Sequence, residues 1–179
     1  MPNPYPDRFL ELLADTDGPV LDCGSGGRKR DDVISLEYHH AGGADLLADG
    51  HHLPFPDNTF ALSLSQAVLE HVTDPQWYVD ELVRTLRPGG LLWIEAAFMQ
   101  PIHQQPYHFF NVTPFGLQHL CRALDIVDTA LLGTYAEVIT WMSTEAGVPH
   151  PRSTPEPTPD RYFNVASGVA LLGRKPSHP

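Results

Sequence analysis

Cysteine is almost absent from this chain. Only Cys23 and Cys121 occur among 179 residues, too few for a disulfide framework, so a reducing compartment such as the cytoplasm is the simplest home. Positive charge is also scarce. Eleven Lys and Arg stand against 22 Asp and Glu, a net charge of −11. Nucleic-acid binding needs a basic footprint, and the one basic cluster, Arg28-Lys29-Arg30, runs straight into Asp31-Asp32. Neither a nucleic-acid partner nor an anionic membrane surface is expected. No apolar run approaches the ~20 residues of a membrane span, and Met1–Asp7 lacks the basic and apolar segments of a signal peptide. No internal repeat is visible. What is present suits a globular protein of one domain, residues 1–179, with 42% hydrophobic and 18% charged residues. Proline is abundant (18 residues), concentrated near the N-terminus and in 149–159. The ten histidines include the adjacent pairs His39-His40 and His51-His52, a pattern that suggests loops.

Hydrophobic spacing alternates between two periods. Phe9, Leu12 and Leu13 predict a short helix over 7–14. Strands are expected near 19–22, 33–36 (ending at Glu37), 45–48, 60–65, 91–96, 126–132 and 165–173. Asp74-Pro75 reads as a helix cap with proline in the first turn. Pro88-Gly89-Gly90 reads as the stop of that helix. Thr113-Pro114 opens another helix, and 135–146 has helical spacing. Residues 97–112 and 147–162 read as loops. Strands alternating with helices predict an α/β sheet, parallel at least in its middle.

Residues 20–27, Val-Leu-Asp-Cys-Gly-Ser-Gly-Gly, combine a strand end, an acid and a glycine turn. Gly24 and Gly26 let the backbone pass close to a ligand. Asp22 places negative charge at that turn, which repels a pyrophosphate and attracts an ammonium or sulfonium group. A dinucleotide fingerprint would need glycine where Lys29 stands, and a P-loop counted from Gly24 would need Gly-Lys and then Ser or Thr where Lys29-Arg30-Asp31 stand. The motif therefore points to a cationic cofactor such as S-adenosyl-L-methionine before a nicotinamide dinucleotide.

Further segments follow in order: ADGHHLPFPDNTF at 48–60, LSQAVLEHV at 64–72 and LRPGGLLWIEAAF at 86–98. With the glycine motif and Glu37 they resemble the class I S-adenosylmethionine-dependent methyltransferases, in particular the small group similar to ubiquinone and menaquinone methyltransferases. The resemblance covers residues 18–124 well and the rest loosely. It implies a Rossmann-like sheet with helices on both faces. It also implies a cofactor site holding Asp22, Gly24, Ser25 and Gly26 at the first motif, Glu37 and Tyr38 at the ribose, Asp49, Gly50 and His51 at the adenine, and Ser65 at the end of the fourth strand. A carboxylate at a strand end suits bidentate bonding to two ribose hydroxyls, and Asp49 can accept from an exocyclic amino group. The turn at 53–58 is expected to be structural.

The chain departs from that family in one respect. Only residues 27–32 separate Gly26 from Val33, and 38–44 separate the second strand from the third. A parallel crossover through a helix needs a dozen or more residues, so the helices after strands one and two are expected to be shortened or missing. An apolar face left bare would associate. Either 135–163 folds back over it or two chains share it as a homodimer.

The loop after the fifth strand holds His103, Tyr107, His108, Phe109 and Phe110, and ligands of open α/β sheets sit at the carboxyl ends of strands. His108 or His103 can take a proton from a hydroxyl or amine. The alternative is that His108 bonds a backbone group and orders the loop. His103 and His108 lack a Cys or acid at zinc spacing, so no metal is expected. His71 is expected to be structural. The expected activity is methyl transfer from S-adenosyl-L-methionine to a small-molecule nucleophile. The alternatives are a non-catalytic cofactor-binding or partner domain of the same fold, and a nicotinamide oxidoreductase, which Asp22 and Lys29 count against.

Overall fold

The structure is a computed structural model that describes residues 3–39, 42–145 and 165–177. In chain order the elements are α1 (Asp7–Ala14), β1 (Val20–Cys23), β2 (Ile34–Glu37), β3 (Leu46–Leu47), β4 (Phe60–Gln66), a 3-10 turn at Leu69–His71, α2 (Pro75–Thr85), β5 (Leu86–Ala97), α3 (Pro114–Leu120), β6 (Asp125–Leu132), α4 (Tyr135–Glu145) and β7 (Gly168–Arg174). The seven strands form one sheet in the order β3-β2-β1-β4-β5-β7-β6. β3 to β5 run parallel, and β7 is antiparallel to both β5 and β6. This is the Rossmann-like mixed sheet expected from the sequence.

Local chemistry explains the helices. Asp74 caps α2 by accepting from the Trp77 N–H at 3.0 Å, and Thr113 caps α3 by accepting from Gly116 at 3.0 Å, each followed by proline in the first turn. α2 and α3 cover one face of the sheet, burying Tyr78, Val79, Leu82 and Leu117 against Leu21, Leu92, Ile94 and Leu171. α1 lies on the other face, where Phe9 packs with Val20, Leu62, Leu64 and Trp93.

Three boundaries differ from the sequence reading. α2 ends at Thr85, and extended backbone begins at Leu86, two residues before the Pro-Gly-Gly turn, because Leu86 pairs with Phe60 before the ladder resumes at Leu62–Leu91. The last strand starts at Gly168 rather than Val165. A 3-10 turn follows β4, where Ala67 adopts φ 56° and bends the chain. The Pro-rich segment 147–162 lies outside the described residues.

Among the described residues no helix follows β1 or β2, as the residue counts require. The face they leave is not wholly apolar, and most of the segment expected to fold back over it lies outside the described residues. Its strand residues include Asp22 and Ser35, both fully buried beside Val20 and Val33. The loop 24–32 and the N-terminal segment lie over them. Arg28 bonds Asp22 through Nε at 3.2 Å and Nη2 at 3.0 Å. Ser35 donates its hydroxyl to Asp45 at 2.8 Å, and Lys29 pairs with Asp45 at 2.7 Å. Tyr5 stacks on Phe9 with Arg28 4.6 Å above its ring. Polar pairing thus stands where helix packing is usual.

Phe9 is fully buried where α1 meets the sheet. Phe9→Ala should lower unfolding free energy by about 3–5 kcal/mol, read from denaturant unfolding with unchanged m-value. A loss below about 1 kcal/mol would mean that α1 does not hold this face.

Candidate functional site

A cleft of about 520 Å³ opens at the carboxyl ends of β1, β2 and β4. A more open depression of about 390 Å³ lies at the opposite end, around Pro19, Lys29 and Asp32. Ligands of open α/β sheets bind at the carboxyl ends, and the larger cleft is within the usual range for small-molecule sites.

The glycine loop forms one rim. Gly24 (φ 83°) and Gly26 (φ 62°) adopt left-handed backbone, and a Cβ on Gly24 would lie 2.2 Å from the Val68 side chain. The N–H groups of Gly24 and Ser25 both donate to the Leu36 carbonyl, at 2.9 and 3.2 Å. The loop is thereby drawn onto the end of β2, where the Gly26 N–H donates to Glu37 Oε1. Ser25 Oγ lies 3.4 Å from the same oxygen. On the opposite rim, Asp49 Oδ1 accepts from the His51 backbone N–H at 2.9 Å and from His51 Nδ1 at 2.8 Å. These bonds, the backbone one foremost, hold the Asp49 carboxyl below its usual range. The Asp74 N–H donates to His51 Nε2 at 3.4 Å, so this ring is a neutral Nδ1–H tautomer. Gly50 packs on Tyr78, leaving no room for a Cβ.

Gly24, Gly26, Glu37, Tyr38, Asp49, Gly50 and His51 all line this cleft. Asp22, Ser25 and Ser65 do not. The Asp22 carboxylate is turned to Arg28 and is fully buried. Burial pushes its carboxyl up while the Arg28 guanidinium pulls it down. The Ser65 hydroxyl bonds Tyr78 at 2.8 Å within the core. Leu53–Asn58 is structural, held by Arg84, whose guanidinium donates to the Leu53 and Phe55 carbonyls. Cys23 and Cys121 are buried, and burial pushes both thiols up to about 12.

The loop after β5 closes the far end through Gln104, Tyr107 and Phe109. His103 and His108 stand behind that wall. His108 has both ring nitrogens engaged: Nδ1 accepts from the His103 backbone N–H at 3.2 Å, and Nε2 lies 3.2 Å from the Phe110 carbonyl and the Asn111 side-chain oxygen. It has no lone pair free for a substrate proton in this arrangement. Val68, His71 and Tyr78 line the cleft as well. The sequence reading did not place Val68 and Tyr78 there, since their use depends on the bend at Ala67 and on how α2 packs.

Comparison with known proteins speaks to the fold. Residues 28–94 match a methyltransferase domain family. A ubiquinone/menaquinone biosynthesis C-methyltransferase of Haemophilus ducreyi is 25% identical over 172 residues, covering 91% of this chain and 60% of that protein. The chain thus spans about three-fifths of that relative's length. A SAM-dependent methyltransferase from Methanosarcina mazei superposes with a TM-score of 0.63 at 16% identity, covering 97% of this chain and 99% of the other. The fold is that of the class I methyltransferases. The same fold carries other chemistry: the [4+2]-cyclase SpnF superposes with a TM-score of 0.61 at 18% identity, covering 95% of this chain and 80% of SpnF.

Because Asp22 and Arg28 are both buried, removing one partner strands a charge. Arg28→Ala should cost about 3–5 kcal/mol of stability at neutral pH. The deficit should shrink in acid as the Asp22 carboxyl protonates. Equal deficits at both pH values, measured by denaturant unfolding, would remove the pair from this role.

Proposed function

We propose that the chain binds S-adenosyl-L-methionine in this cleft and transfers its methyl group to a small-molecule nucleophile. The observation that carries the reading is the charge of the walls. Glu37 and Asp49 face the cleft, and among the described residues no Lys or Arg lines it. Such a site suits a cationic ligand and disfavours a dinucleotide pyrophosphate. S-adenosyl-L-methionine, when bound, supplies an electrophilic methyl on a sulfonium sulfur.

The residues present fit that group. Glu37 stands at the end of β2, with Oε1 the oxygen engaged by the glycine loop; a vicinal diol suits its carboxylate. Asp49, held ionised by His51, accepts from an amino group, and Val68 and Val72 give an apolar wall. Asp22 acts at one remove, fixing through Arg28 the loop that carries Gly26. Methyl transfer depends on alignment more than on acid–base help. Where the acceptor is a hydroxyl or amine, its proton does not go to His108, whose ring nitrogens are both engaged and which orders the loop.

The cofactor assignment is tested by calorimetry with S-adenosylhomocysteine. Glu37→Ala should weaken binding by about 1–3 kcal/mol through lost charge-assisted hydrogen bonds. Unchanged affinity would overturn the assignment. Release of S-adenosylhomocysteine over a panel of hydroxyl, amine and carbon nucleophiles then separates a transferase from a non-catalytic binding domain.

The charge of −11 fits a small-molecule substrate better than a nucleic acid, and two free buried thiols accord with a cytoplasmic setting. No helix among the described residues is long and apolar enough to cross a membrane. With the face over β1 and β2 closed by polar pairing, the case for a homodimer loses its main support. Light scattering at micromolar concentration should report the mass of one chain; twice that mass would restore the dimer.

A further inference from the structure

We infer that Glu70, His71 and His103 form a binding site for one divalent metal ion of the zinc class, placed where the loop after β5 meets the cleft. Glu70 and His71 sit in the 3-10 turn after β4, and His103 comes from the loop 98–113. One donor atom from each lies within 4.8 Å of the other two. The sequence spacing conceals the set, because 31 residues of chain separate His71 from His103 and the acid comes from the earlier segment.

Two features of these side chains point to a ligand. The first is Glu70. Its side chain is 1% exposed, and its Oε2 has no hydrogen-bond partner. A buried carboxylate oxygen left bare is costly, and a cation satisfies it. Its backbone carbonyl is already used, accepting from Phe109 at 2.7 Å. The second is the tautomer of the two rings. His71 Nδ1 lies 2.6 Å from the Tyr107 carbonyl, and His103 Nδ1 lies 3.1 Å from the Pro101 carbonyl. A carbonyl can only accept, so each Nδ1 carries the hydrogen and each Nε2 keeps its lone pair. Metal-bound histidines are held in this way, with the second nitrogen donating to a carbonyl or carboxylate. His108 does not belong to the set, because its nitrogens are already engaged.

Two imidazoles and one carboxylate are the donor set of an open tetrahedral site, with the fourth position left for water or substrate. A tetrahedral ion holds its donors about 3.3 Å apart. Separations of up to 4.8 Å must therefore close by about 1.5 Å, drawing the loop toward β4. His71 lines the cleft, so the fourth position is reached from it. The substrate class follows: a molecule presenting a hydroxyl, enol or carboxylate oxygen to the ion. That last step rests on the proposed methyl transfer, whereas binding of the ion does not.

The test uses the full chain, stripped with a chelator and titrated with Co2+, then with competing Zn2+. One equivalent of Co2+ should give the visible absorption of a four- or five-coordinate ion and be displaced by Zn2+. Glu70→Gln and His103→Ala should each weaken binding by about tenfold or more, while His119→Ala, at an exposed position on α3, leaves it unchanged. Absence of that absorption, or equal affinity in all three variants, overturns the site. Should Glu70→Gln fail to fold by circular dichroism, His103→Ala on the loop decides. Calorimetry with S-adenosylhomocysteine on the stripped chain tests the cofactor cleft separately, so failure of one reading leaves the other standing or falling by itself.

Discussion

A buried ion pair organises the part of this molecule where ligands bind. Asp22 closes β1 with no exposed surface, and Arg28 reaches back from the glycine loop to bond both of its oxygens. The same guanidinium bonds the Gln66 side chain at the end of β4 and the carbonyls of Asn3 and Pro4. One residue therefore joins two strands, the crossover loop and the N-terminal segment. Charges this deep hold only when their hydrogen bonds are met, and here several elements must be in place to meet them.

That constraint explains how so short a crossover serves. A helix after the first strand normally covers the sheet and offers its N-terminus to the ligand. Without one, the loop lies flat over Asp22 and Ser35, and the neighbouring charges are neutralised locally: Lys29 by Asp45 and Arg30 by Asp32. The basic cluster of the sequence is thereby spent on internal pairing, and among the described residues the cleft is lined by carboxylates and by no Lys or Arg.

The opposite wall is built differently. A chain bent at Ala67 and a loop tied to it by the Phe109 N–H to Glu70 carbonyl bond bring three histidine rings within 5.9 Å of one another, centroid to centroid. His108 spends its nitrogens on the loop itself. His71 and His103 spend only Nδ1 on it, and Glu70 lies beneath them with an oxygen unmet. The two walls thus differ in kind: one presents carboxylates on rigid strand ends, the other imidazoles on a loop.

The strands, the capped helices and the Rossmann-like order were legible from local chemistry. Period-two apolar runs, Asp74-Pro75, Thr113-Pro114 and the Gly24–Gly27 turn act within a few residues of themselves. Glu37 and Asp49 were legible for the same reason, each standing at the end of a strand pattern. Even the missing crossover helices could be counted from residue numbers. Which way a side chain turns was not legible. Asp22 read as a ligand-facing charge and is instead sealed against Arg28, because both faces of a buried strand look alike in sequence. His108 read either as a base or as a residue ordering its loop, and groups on that loop saturate it. Glu70 joins His71 and His103 across 31 residues of intervening chain. The sequence determined the elements and the turn chemistry, which depend on near neighbours. Tertiary structure alone decided the partners of the buried charges and the meeting of distant donors, since these depend on contacts between segments that sequence spacing does not encode.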